Sequence, residues 1–150
     1  MAYWLMKSEP EEVSIDDLAA QKTVPWFGVR NYQARNFMRD RMQVGDLAFF
    51  YHSSCAEPGI AGICAVCAPA HPDDTQFDPA SPYFDAKATQ ENPRWQCVDV
   101  KFVQKTRLLG LAELRMQPAL AGMQILQRGN RLSITSVSDA EWKFITEQLL

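Results

Sequence analysis

The sequence predicts an α+β fold, mostly β: a small, mostly antiparallel barrel of about five strands with short helices inserted between them. Three observations carry that expectation. Short apolar or alternating runs are separated by Gly, Pro, Asn and Asp signals. Two S-x-x-[DE] capping boxes, at Ser14 and Ser138, mark helix starts. The 150 residues, 47% apolar and 22% charged, suffice for one domain, 1–150, with a real core. A chain of this size hides about two-thirds of its unfolded surface.

The elements follow in order. Tyr3 to Lys7 (YWLMK) reads as a first strand, stopped by Ser8-Glu9-Pro10. Ser14, with Asp17 three positions on, opens a short helix. Thr23 to Arg30 reads as a loop punctuated by Pro25 and Gly28. Asn31 suits the N-cap of a helix from Tyr32 to about Met42. In that helix Ala34, Phe37, Met38 and Arg41 share one side, and Arg35 and Arg39 another. Val44-Gly45-Asp46 turns into the apolar strand Leu47 to His52, and Pro58-Gly59 into a strand from Ile60 to about Cys67. Ala68 to Asn92, with four prolines, reads as a long loop. It is the only candidate internal boundary, too short and too closely flanked by strands to divide the domain. Trp95 to Lys105 alternates, with Val98, Val100 and Phe102 on one face. Two helical pieces, Leu111 to Arg115 and Ala119 to Gln127, are separated by Pro118. Arg131 to Val137 reads as the last strand, and Ser138 opens a C-terminal helix carrying Trp142, Phe144 and Ile145.

Composition excludes several classes. No apolar run approaches ~18–20 residues, so neither a transmembrane helix nor a membrane partner is expected. MAYWLMKSEP lacks the basic start and apolar stretch of a signal peptide, and the expectation is a soluble, cytoplasmic monomer. Cys64 and Cys67 form a C-x-x-C, but no second pair follows, and residues three apart on a strand point to opposite faces. They read as free thiols acting as small hydrophobes, and no metal site is expected. His52, Ser53 and Ser54 do not make a nucleophile and base, because adjacent strand residues diverge and no acid orients the histidine.

Charge singles out one segment. The chain has 15 basic and 18 acidic residues, a net −3. Between Trp26 and Gly45 stand Arg30, Arg35, Arg39 and Arg41 against Asp40 alone, so this stretch carries +3 and the remainder −6. Flat rings beside guanidinium groups suit a nucleobase and its phosphates. An acidic chain with one local basic stretch fits a local anion site better than a broad basic face for duplexes.

Three long motifs resemble the EVE domain, a branch of the PUA-like superfamily: YWLMKSEP at Tyr3 to Pro10, WFGVRNYQARNFMR at Trp26 to Arg39, and GDLAFFYHS at Gly45 to Ser53. GIAG at Gly59 to Gly62, VDVKFV at Val98 to Val103 and RLSI at Arg131 to Ile134 extend the likeness over nearly the whole chain. The resemblance implies a PUA-like pseudo-barrel of about five or six strands decorated by short helices. It implies a non-catalytic module without cofactor that accepts a modified base from DNA or RNA. Carried over onto this chain, its pocket comprises Lys7, Ser8, Trp26, Gly28, Arg30, Asn31, Tyr32, His52 and Ser53, with Ser133 and Arg131 from the last strand. Little constraint is expected at Phe27.

Each of these residues also has a structural use. Trp26 can wall a flipped base or pack in the core, though its Pro/Gly-marked loop departs from a periodic apolar stripe. Tyr32 can do either. Asn31 can cap its helix, read a base edge, or do both. Arg30, Arg35, Arg39 and Arg131 can hold phosphates, and the first three can equally form a solvated helix face. The leading expectation is a binding module for an extruded base of the 5-methylcytosine type. The alternatives are a pocket for a small anion, nucleotide or protein partner without a polymer, and an enzyme on nucleic acid. The second lacks a credible acid–base pair or phosphate-binding glycine loop.

Overall fold

The computed structural model describes residues 1–150. Six strands form one sheet: β1 (Tyr3–Ser8), β2 (Thr23–Pro25), β3 (Leu47–His52), β4 (Gly59–Pro72), β5 (Gln96–Gly110) and β6 (Ile134–Val137), in the order β2-β5-β4-β3-β1-β6. Every pairing is antiparallel except β1 with β3, which run parallel with Ser8 opposite His52. Both of these strands therefore end at the same rim of the sheet. That shared rim places Lys7 and Ser8 beside Ser53.

Both faces of the sheet are buried, and alternation sorts the side chains. Trp4, Met6, Ala48, Phe50, Cys64, Val66, Val98 and Val100 belong to one core, together with Trp26, Ala34 and Met38. Leu5, Phe49, Tyr51, Ile60, Ile63 and Leu109 belong to a second core closed by Leu114, Leu120 and Trp142. This two-sided burial explains why LAFFYH is a continuous apolar run with no polar alternation. β4 and β5 are long, 14 and 15 residues, and slip register at several bulges. Such bulges bend the strands and let a small sheet wrap its core. Gly62 lies at one of them. A Cβ there would stand 2.4 Å from Ile15 Cδ1, so the glycine admits the first helix.

That helix, α1 (Ile15–Gln21), starts at the predicted box: Ser14 Oγ accepts from Asp17 N, and Asp17 Oδ2 accepts from Ser14 N. α2 (Tyr32–Asn36) is capped by Asn31 and continues as a π-helical turn, Phe37–Arg41, closed by Met42 N donating to Phe37 O. α3 (Leu111–Arg115) lies where expected, and α4 (Asp139–Phe144) carries the second capping box. No helix is long and apolar enough to cross a membrane.

Four sequence expectations need correction. Thr23–Pro25, read as loop, is an edge strand on β5; Pro25 is tolerated because an edge position needs no second ladder. Ala119–Gln127 is not a helix but two 3₁₀ turns, Pro118–Leu120 and Gln124–Leu126, broken at Gly122-Met123. Residues 131–133 precede β6 instead of belonging to it. The stretch 68–92 begins as the end of β4 and then folds around two buried polar side chains. Gln76 accepts from the Arg94 and Trp95 amides and donates to the Asp73 and Trp95 carbonyls. Asp73 caps the turn Asp74–Phe77. The prolines marked an irregular path but not its anchoring.

Candidate functional site

The rim shared by β1 and β3 opens into a cavity of about 470 Å³. Lys7 and Ser8 end β1, Trp26, Gly28, Arg30 and Asn31 come from the segment after β2, Ser53 follows β3, and Arg131 and Ser133 precede β6. Backbone hydrogen bonds tie these pieces together: Lys7 N to Ser133 O (2.8 Å), Ser53 N to Ser8 O (2.9 Å) and Trp26 N to Val98 O (2.8 Å). Nine residues far apart in sequence thus line one opening, all of them among those singled out from the sequence.

Trp26 serves both roles considered for it. It belongs to the core and packs edge-to-face on Phe50 at 5.4 Å. It also lines the cavity. Its indole N–H donates to no group of the chain and is not sealed from solvent. Asn31 also combines its roles. Oδ1 accepts from Ala34 N at 3.0 Å to cap α2, which leaves the Nδ2 donors free at the wall. Ser8 Oγ donates to Val13 O at 2.6 Å and keeps its lone pairs.

Gly28 has φ +83°, a left-handed conformation disfavoured for residues with a Cβ. A Cβ would in addition stand 2.8 Å from the Tyr83 ring. Gly28 N donates to Asp73 Oδ2 at 2.8 Å, and Arg30 Nη1 donates to the same oxygen at 3.0 Å. Arg30 further donates to the Tyr83 carbonyl and to Thr75 Oγ1. Burial alone would raise the Asp73 pKa, but hydrogen bonds from Thr75, Gly28 and Arg30 reverse it and hold the carboxyl below the ordinary range.

The structure does not bring four of the expected residues to the cavity. Tyr32 stacks on Trp95 at 4.8 Å and accepts from Arg94. Arg35 lies over the Tyr32 ring and donates to Arg94 O and Asn36 Oδ1. Arg39 makes a two-pronged pair with Asp40, its neighbour. Arg35 and Arg39 are carried off from the opening, about one and two turns beyond Asn31, because α2 and its π-helical continuation run off from the N-cap. His52 points to α1, where Nε2 accepts from Ile15 N at 3.1 Å. Arg30 does reach the wall, but its N–H groups are engaged within the chain.

The cavity also recruits residues that sequence reasoning missed. Tyr83 arrives from the proline-rich stretch, packs edge-to-face on Phe27 at 5.9 Å, and donates to Glu12. Burial, then the Glu12 carboxylate, pushes its pKa up to about 12. An aromatic pair between Pro82 and Asp85 in an otherwise polar stretch is the one signal that pointed to it. Phe27, expected to be unconstrained, lines the cavity beside it. Glu9 and Glu12 make one wall acidic.

The two histidines differ in environment. Burial lowers the His52 pKa, and its Nε2 acceptor role requires the neutral ring. The Asp99 carboxylate, 2.8 Å from His71 Nε2, raises the His71 pKa. His52 thus adds stability above about pH 6.5 that is lost as pH falls through its lower folded pKa. His71 adds stability below about pH 6.5 that is lost as pH rises through its higher one. An NMR pH titration of the ring C–H signals is expected to place His52 below and His71 above the ordinary histidine value. The reverse order would refute both assignments.

The EVE domain family matches residues 2–148. Thymocyte nuclear protein 1 of Gallus gallus is 44% identical over 163 aligned positions, which cover 95% of this chain; the chain spans 66% of that protein's length. A protein from Pseudomonas syringae is similar in structure, with TM-score 0.93 and 51% identity over 97% of each chain. The crystal structure of human THYN1 protein in complex with 5-methylcytosine containing DNA superimposes at TM-score 0.89 with 43% identity, covering 97% of this chain and 95% of that one. On the fold, the motifs and this match along nearly its whole length, the chain belongs to the EVE domain family.

Proposed function

We propose that this chain is a non-catalytic binding module for DNA carrying a modified base of the 5-methylcytosine type, held in the cavity at the β1–β3 rim. The observation that carries the reading is the convergence of Trp26, Asn31, Ser8 and Ser53 on one opening of about 470 Å³. The human relative crystallised with 5-methylcytosine containing DNA supports the choice of base. The base leaves its stack and enters against the Trp26 wall. Because the Asn31 oxygen is held by the Ala34 amide, Asn31 offers donors only, which suit the O2 and N3 acceptors of a cytosine edge. The hydroxyls of Ser8 and Ser53 can take the exocyclic amine. A methyl group in an apolar corner adds only about 0.8 kcal/mol, so preference over plain cytosine is modest. Binding without turnover is supported by His52, whose Nε2 is committed to Ile15 and directed away from the opening.

Asn31→Asp separates cap from reader. Aspartate caps a helix as well as asparagine does, so the melting temperature is expected to stay within a few degrees. The two donors are lost and a negative charge faces the base, so affinity for a 5-methylcytosine oligonucleotide is expected to fall by more than about tenfold, roughly 1.5–3 kcal/mol. Calorimetry on both proteins checks this, and equal affinities would remove Asn31 from the site. Mass spectrometry of oligonucleotides after incubation, with no mass change expected, tests the absence of turnover.

A further inference from the structure

We infer that a basic groove continuous with the base cavity carries the phosphates of the bound strand on one side of the base only, an inference that rests on the base-binding reading above. A groove of about 660 Å³ leaves the cavity at Lys7 and Ser53 and runs past Tyr51 to Arg115 and Arg128. A shallower one of about 420 Å³ continues from Arg128 through Gly129 and Asn130 and rejoins the cavity at Asn31 and Arg131. Four cations line these two grooves and no Asp or Glu does. In a chain of 18 acids and net charge −3, that is the reverse of the average surface.

Pairing sets the groove cations apart from many of the others. Arg30, Arg39, Arg94, Lys105 and Arg107 each hold a carboxylate of this chain. Among the cations that hold none, Lys7, Arg115, Arg128 and Arg131 stand on the grooves. Of the arginines picked out from the sequence as phosphate ligands, Arg30, Arg35 and Arg39 are engaged within the chain, whereas Arg131 holds no carboxylate and stands on the groove. Burial lowers the Lys7 pKa, a cost that an adjacent phosphate relieves. The part of the cavity lining that neither groove shares carries Glu9 and Glu12. A phosphate on that side meets like charge. The sign asymmetry therefore gives the strand one exit, over Lys7, Arg131, Arg128 and Arg115. The partner is the phosphodiester backbone of the strand that carries the bound base.

The test uses fluorescence anisotropy with three single-stranded probes: 5-methylcytosine extended by four thymidines on its 5′ side, the same on its 3′ side, and on both. 5-Methyl-2′-deoxycytidine alone is titrated in parallel by NMR. One extension, and only one, is expected to raise affinity. Arg115→Ala/Arg128→Ala, both surface positions, is expected to remove about tenfold of that gain and to flatten the salt slope by about 1.4, two phosphates at ~0.7 each. Nucleoside binding is expected to be unchanged in the double variant. Equal gains from both extensions, or wild-type behaviour of the double variant, would overturn the groove while leaving the base cavity standing. Failure of the wild-type protein to bind nucleoside and oligonucleotide alike would overturn the base reading and the groove with it.

Discussion

Trp26→Ala is expected to lower folding stability by about 3–5 kcal/mol and to abolish detectable binding, because this ring is core and cavity wall together. Its removal leaves Phe50 without its edge-to-face partner and opens the cavity floor. Against a total stability of about 5–15 kcal/mol, the alanine variant stands close to unfolding, so its loss of binding alone proves little. Trp26→Phe separates the two roles. A smaller ring keeps much of the apolar contact, and stability is expected to fall by about 1–2 kcal/mol. The indole N–H, which has no partner within the chain, is gone and the wall is narrower, so binding is expected to weaken by about 1–2 kcal/mol as well. Urea unfolding and calorimetry on both variants check this. Undiminished affinity in the phenylalanine variant would take Trp26 out of the site and leave it in the core.

Asp73→Ala is the second large effect. Asp73 is almost wholly buried and accepts from Gly28 N, Arg30 Nη1, Thr75 N and Thr75 Oγ1. Its removal leaves a guanidinium and two amides without their acceptor, at a cost of about 3 kcal/mol. The damage reaches the cavity, because the same carboxylate holds Gly28 in place under Tyr83. Binding is therefore expected to weaken together with stability. The sign with pH follows from the lowered pKa. The contribution is complete above the unfolded carboxylate value of about 3.9 and is lost as pH falls through the lower folded value. The alanine variant is expected to lie well below wild type at pH 7 and to approach it near pH 2, as read from denaturant midpoints. A constant gap across that range would mean that the carboxylate charge contributes nothing.

The parts of this site that were legible in the sequence are those fixed by local chemistry or by long motifs. Ser14, Asn31 and Ser138 each cap the helix that their side chains imply, since capping needs only residues three or four apart. Lys7, Ser8 and Ser53 stand together because β1 and β3 run parallel and end at one rim, which the motifs carried and the periodicity did not. What stayed hidden depended on distant partners. Arg30 looks like a phosphate ligand until Asp73, Thr75 and Tyr83 arrive from a stretch 43–53 positions away. Arg35 and Arg39 share the basic segment of Arg30, but the helix carries them off the opening. Tyr83 was masked by its prolines, and Thr23–Pro25 was too short for alternation to reveal a strand.

The most direct test of the account is an NMR titration of isotope-labelled protein with a single-stranded oligonucleotide containing one 5-methylcytosine. The predicted result is a saturable set of shifts at the Trp26 indole N–H, the Asn31 side-chain amide and the backbone amides of Gly28, Ser53 and Ser133, with little change at Tyr32, Arg39 and His71. Shifts centred on Tyr32 and Arg39, or saturation with no response at Trp26 and Asn31, would contradict it.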